Sequence, residues 1–118
     1  MWLGQSARFV RAVKATDKYG NKPLHYAARE GHVAAITLLI KRGAPVNART
    51  LEGDSALHLA SGNGHAKAVQ ELLASGAAQS VDNDGKTPEQ HAREWGYEKV
   101  SKLLANASKS GKAKSSRK

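Results

Sequence analysis

Residues 17–44, DKYGNKPLHYAAREGHVAAITLLIKRGA, and residues 50–77, TLEGDSALHLASGNGHAKAVQELLASGA, are variations on one text. Laid over each other they agree at Gly20 and Gly53, His25 and His58, Gly31 and Gly64, and His32 and His65, each pair 33 residues apart. A third block, residues 82–105, DNDGKTPEQHAREWGYEKVSKLLA, continues the series with Gly85 and Gly96 at a spacing of 32. Self-similarity at a fixed period of this length marks a stack of equivalent supersecondary units, none of which buries its apolar face alone.

Each block reads as two short helices. Ser55 and Thr87 are good N-caps, Pro23 and Pro88 suit a first helical position, and Thr87-x-x-Gln90 is a capping box. Lys22 stands at the cap position of the first block and carries no acceptor, so that helix start is expected to be the weakest. Gly31, Gly64 and Gly96 end the first helices. In the second helices Val33, Ile36, Leu39 and Ile40, or Ala66, Val69, Leu72 and Leu73, recur at helical spacing and bury one face, before Gly43 and Gly76 terminate them. The connectors Ala44–Asp54 and Ala77–Lys86, the latter with Asn83-Asp84-Gly85 as a turn signal, are expected to project as hairpin-like loops.

These blocks resemble the ankyrin repeat family, whose period of about 33 residues contains a T-P-L-H-x-A core followed by G-H and a Leu-Leu pair. Pro23-Leu24-His25-Tyr26-Ala27-Ala28 and Ser55-Ala56-Leu57-His58-Leu59-Ala60 carry the resemblance best, and Thr87-Pro88-Glu89-Gln90-His91-Ala92 is a divergent third copy. The fold implied is all-α, an ankyrin-repeat solenoid of stacked helix-turn-helix pairs with hairpin-like loops. Three copies are expected, 15–48, 49–80 and 81–105. Residues 1–14 read as an N-terminal cap helix or eroded half repeat, and 106–118 as a flexible basic tail.

Composition agrees with a folded chain. Of 118 residues 40% are hydrophobic and 25% charged, which fits neither wholesale disorder, a collagen-like repeat nor a membrane bundle. The absence of cysteine excludes disulfides, thiolate zinc sites and cysteine nucleophiles. Met1–Gln5 runs into polar Ser6 and Arg8 without an apolar stretch of signal-peptide length, and Gly4 is not placed for myristoylation, so an intracellular location, cytoplasmic or nuclear, is expected. The longest apolar run, 33–40, is less than half a membrane span.

The net charge of +9 is uneven. Arg8, Arg11 and Lys14 lie in residues 1–14 and Lys109, Lys112, Lys114, Arg117 and Lys118 in residues 106–118, with no acid in either segment, whereas residues 15–105 are close to neutral. Basic ends allow an alternative function, binding of nucleic acid or an acidic surface.

No chemistry of catalysis stands out. Four of the five histidines fall on repeat positions, and the resemblance implies that His25 and His58 hydrogen-bond to loop backbone across the repeat interface. His91 is the exception to this register. There is no G-x-S-x-G elbow, P-loop or G-x-G-x-x-G, and the acidic residues scatter at loop tips without paired spacing. No catalytic, cofactor-binding or metal residues are therefore assigned, and neither a small-molecule substrate nor membrane insertion is expected.

The resemblance implies instead a non-catalytic module that binds another protein through its loop tips and concave first-helix face, as a monomer. The positions carried over are Lys18, Tyr19, Asn21, Arg29 and Glu30 in the first copy; Leu51, Glu52, Asp54 and Asn63 in the second; and Asn83, Asp84, Lys86, Glu94 and Trp95 in the third. Tyr19, Leu51 and Trp95 are the expected apolar anchors of that surface.

Overall fold

A computed structural model describes the backbone of residues 15–116 and side chains as far as Ser108. Among the described residues six helices follow one another: α1 (Pro23–Glu30), α2 (Val33–Lys41), α3 (Ala56–Gly62), α4 (Ala66–Ala74), α5 (Pro88–Glu94) and α6 (Glu98–Ser116). They pair as α1–α2, α3–α4 and α5–α6, and the pairs stack in sequence order. No described helix is long and apolar enough to cross a membrane. The N-terminal cap expected over residues 1–14 lies outside the described residues.

The stack has two layers. In the inner layer α1, α3 and α5 pack against one another, with the small side chains of Ala28, Ala60 and Ala92 fully buried. Leu24 and Leu57 fill the space above them. In the outer layer Ile36, Ala68, Val69, Leu72, Val100 and Leu104 make one continuous core shared by α2, α4 and α6. Among the described residues, the middle pair has a neighbouring pair on both sides and each of the other two pairs has one.

Capping distinguishes the copies. Ser55 and Thr87 accept the backbone N–H of His58 and Gln90 at 3.3 and 3.2 Å, and His58 and Gln90 reach back to the N–H of the cap residue. Lys22 has the same extended cap geometry but no side-chain acceptor, so only the return half of the exchange is present: its N–H donates to His25 Nδ1 at 2.8 Å, and its ammonium turns to Thr16 Oγ1. The imidazole thus holds the start of α1 where a hydroxyl is missing.

The connectors end in tight turns, Thr50–Asp54 closing with Thr50 N–H to Asp54 O at 2.9 Å and Asp82–Lys86 likewise at 2.9 Å. Neighbouring tips are tied by single backbone bonds, Leu51 N–H to Tyr19 O and Asn83 N–H to Glu52 O, both 3.1 Å. They project as hairpin-like turns, and among the described residues no strand forms.

Two features of the third copy depart from expectation. Glu89, standing where Leu24 and Leu57 stand in the other copies, accepts from Arg93 and from Ser101 Oγ at 2.7 Å, so it joins α5 to α6. The boundary expected at residue 105 is not a helix end, because α6 runs to Ser116. Absence of apolar periodicity in 106–118 argues against burial but not against helix: Ala105, Ala107, Ala113 and the intervening lysines are good helix formers, and no proline interrupts them. Leu104 is the last buried side chain among those described. Deleting residues 107–118 should accordingly leave the melting temperature nearly unchanged in a thermal scan; a clear fall would show that the end of α6 packs against the body.

A terminal unit with one interface opens at lower free energy than a central unit with two. Amide protons of Val69 and Leu72, in the middle pair, should therefore exchange slowest and those of Val100 to Leu104 markedly faster. Equal protection in α2, α4 and α6 would mean that the chain opens as one unit.

Candidate functional site

The loop tips and the inner helices together form one face of the stack, and two cavities lie on it. The first, about 450 Å³, opens between copies one and two; Tyr19, Asn21, Tyr26 and Arg29 line one side, and Thr50, Leu51, Glu52, Asp54 and Leu59 the other. Tyr19 is 58% and Leu51 70% exposed. Lys18 Nζ lies 5.1 Å from the centre of the Tyr19 ring, and the Arg29 guanidinium 5.6 Å from that of Tyr26, so both rings carry a cation on one side. The Tyr26 hydroxyl donates to Asp17 Oδ2, which holds the Asp17 carboxyl below its ordinary range.

The second cavity, about 250 Å³, opens between copies two and three and is lined by Asp54, His58, Leu59, Gly62, Asn63, His91 and Trp95. Trp95, 69% exposed, ends α5 at its rim. Three of its lining residues, Asp54, His58 and His91, and the neighbouring Asp82 each offer a donor atom within 4.8 Å of the others. His91 Nε2 donates to Asp82 Oδ2 at 2.7 Å and lies 3.8 Å from Asp54 Oδ1. Asp82 Oδ1 accepts the amides of Asp84 and Lys86 at 3.0 and 2.9 Å. Burial of Asp82 disfavours its charge, but these bonds and the one from His91 outweigh it and hold the carboxyl below its ordinary range. Asp54 goes the other way: burial, and then contact with the Asp82 carboxyl, push it up to about 6.

The histidines at repeat positions do different work. His25 Nε2 donates to Ala48 O and His58 Nε2 to Lys86 O, both at 2.9 Å, each binding one copy to the connector that leads into the next. Since Nδ1 of the same rings accepts a cap N–H, both nitrogens are engaged and the rings are held neutral; burial pushes both below the ordinary histidine range. In the reverse direction His65 Nε2 donates to Arg29 O at 2.9 Å.

The stretch from α1 to the end of α4 carries both complete copies, their caps and the histidine links between them. Residues 24–73 match the sequence model of the family described as ankyrin repeats (many copies). These residues are ankyrin repeats. No curated protein matches the chain. The third copy lies outside the matched residues, and it adds a helix pair with the same cap geometry to the same stack. Ankyrin repeats are generally protein–protein interaction modules, and the family is typically non-catalytic.

The residues carried over from the ankyrin pattern divide into three groups. Tyr19, Arg29, Leu51, Glu52, Asn63 and Trp95 stand open on the cavity-bearing face. Asn21 and Asp54 line the cavities but are turned inward: Asn21 is only 8% exposed, and Asp54 is committed to the cluster with Asp82. Lys18, Glu30, Asn83, Asp84, Lys86 and Glu94 line neither cavity. Lys86 is paired with Glu94 at 2.7 Å, which raises its pKa, and Asn83 Nδ2 donates to Leu51 O at 2.8 Å.

Sequence reasoning assigned no site role to Tyr26 and Leu59, and noted His91 only as the histidine outside the register; the three take the same place in the three copies and sit side by side along the inner helices. Their spacing of 33 and 32 was the available signal. It also passed over the meeting of Asp54 and Asp82: acids scattered in the sequence converge because the turn of copy three lies beside the helix start of copy two.

Proposed function

We propose that the face formed by the loop tips and by α1, α3 and α5 binds a partner protein, with Tyr19, Leu51 and Trp95 as its apolar anchors. The observation that carries this reading is the row of large apolar side chains left open on one face of a neutral repeat body, with Tyr26 and Leu59 between them. Aromatic side chains bordering a cavity on an exposed face are the usual centres of binding energy in protein interfaces.

Affinity capture with the wild type and a Tyr19→Ala, Trp95→Ala double variant identifies proteins that depend on this face, and titration of a captured protein then gives the test. Trp95→Ala or Tyr19→Ala should weaken its binding by about 2 kcal/mol, roughly thirty-fold, without lowering the melting temperature. Single variants that bind as tightly as wild type would place the contact elsewhere. Affinity should change little with salt; a steep linear fall of log K against log salt would transfer the binding to the basic ends and to a polyanionic partner.

A further inference from the structure

We propose that Asp54, Asp82 and His91 form a binding site for one divalent transition-metal cation of the zinc or cobalt class, bridging copies two and three. Three observations support it. Asp54 Oδ1 is fully buried yet has no hydrogen-bond partner, an arrangement that disfavours the folded chain unless something else satisfies the oxygen. Asp82, whose side chain is 4% exposed, is oriented by two backbone amides on Oδ1 so that Oδ2 faces His91, the way an outer shell fixes a ligand carboxylate. His91 presents Nε2 to both carboxylates at once, 2.7 Å from one and 3.8 Å from the other.

A cation with ligand bonds of about 2.0 to 2.2 Å sets its ligands about 3.3 Å apart, so one of these distances must open and the other close, each by roughly half an ångström. Rotation of two side chains accomplishes that. Two carboxylates and a neutral imidazole, its proton moved from Nε2 to Nδ1 to free the Nε2 lone pair, bring two negative charges to a doubly charged ion. The imidazole selects a transition metal over magnesium or calcium, which favour oxygen alone. His58, although close by, is not counted as a ligand, because both its nitrogens are committed to Ser55 and Lys86. Two of the three ligands, Asp54 and His91, line the cavity beside Trp95.

The test uses the full chain without a histidine tag, stripped with chelator and titrated calorimetrically with zinc chloride, cobalt chloride and magnesium chloride. Zinc and cobalt should bind one equivalent with micromolar or tighter dissociation constants and raise the melting temperature, whereas magnesium should do neither. Asp54→Asn and His91→Gln should each weaken zinc at least ten-fold, and His32→Gln, on an exposed histidine away from the cluster, should leave it unchanged. Asp54→Asn removes one of two facing carboxylates, so without metal it should melt no lower than wild type, which separates loss of the site from loss of the fold. Absence of zinc binding by the wild type, or zinc binding that survives both cluster variants, would overturn the proposal.

Discussion

Replacing His58 by alanine should remove about 3 kcal/mol of folding stability, the sum of two buried hydrogen bonds near 1 kcal/mol each and the cavity left by the ring. The imidazole is only 2% exposed, ties its own cap residue to Nδ1 and the Lys86 carbonyl to Nε2, and packs edge-on against His91 with ring centres 5.4 Å apart. The loss falls at the joint between copies two and three, so chemical denaturation should show α5 and α6 released before the rest. His58→Gln should be milder, because Gln90 shows that a glutamine at this place can accept the cap N–H, at 2.8 Å. A loss in His58→Ala no larger than in His58→Gln would mean that the bond to the cap N–H contributes little.

The same ring sets an acid dependence. His58 and His25 are held neutral by burial, with folded values below the ordinary one, while the unfolded chain takes up protons near pH 6.5. The unfolded state therefore binds more protons as pH falls below that value, and stability present at neutral pH is lost on acidification. His58→Gln should flatten this slope in melting curves taken from pH 7.5 to pH 5.

Gly64→Ala should cost about 2 to 3 kcal/mol, whereas Gly96→Ala should cost only about 1 kcal/mol, although both residues occupy left-handed backbone that penalises a side chain. Their φ angles are nearly equal, +74° and +78°. What differs is the neighbour: a Cβ on Gly64 would lie 2.6 Å from the Tyr97 ring, while one on Gly96 would meet nothing within 4 Å. Gly31 repeats the arrangement of Gly64, with the His65 ring of the next copy 2.5 Å from its virtual Cβ. Gly31 and Gly64 thus make room for the aromatic ring that the next copy lays across each, and no described residue takes that place at Gly96. Equal losses at Gly64 and Gly96 in urea unfolding would reduce the glycine requirement to backbone conformation alone.

The sequence by itself determined the repeat and its helices, because these depend on spacing: a 33-residue period places equivalent side chains at equivalent heights in a stack, and caps and glycines act within a turn or two of chain; the roles of His25 and His58 followed from the family resemblance. It also marked Tyr19, Leu51 and Trp95, which stand open because nothing in the period covers them. Tertiary structure alone decided the rest. The extension of α6 to Ser116 turned on helix propensity continuing where apolar periodicity stopped. Asp54, expected as an outward contact residue, is drawn inward because stacking brings the turn of copy three beside the helix start of copy two, 28 residues away in the chain. His91 gains two carboxylates only because Tyr26, Leu59 and His91 share one place in successive copies, and the cluster forms where a polar member of that series faces acids from two different loops. Period predicts which positions are equivalent, but the chemistry at a seam depends on which unlike residues two neighbouring copies bring together.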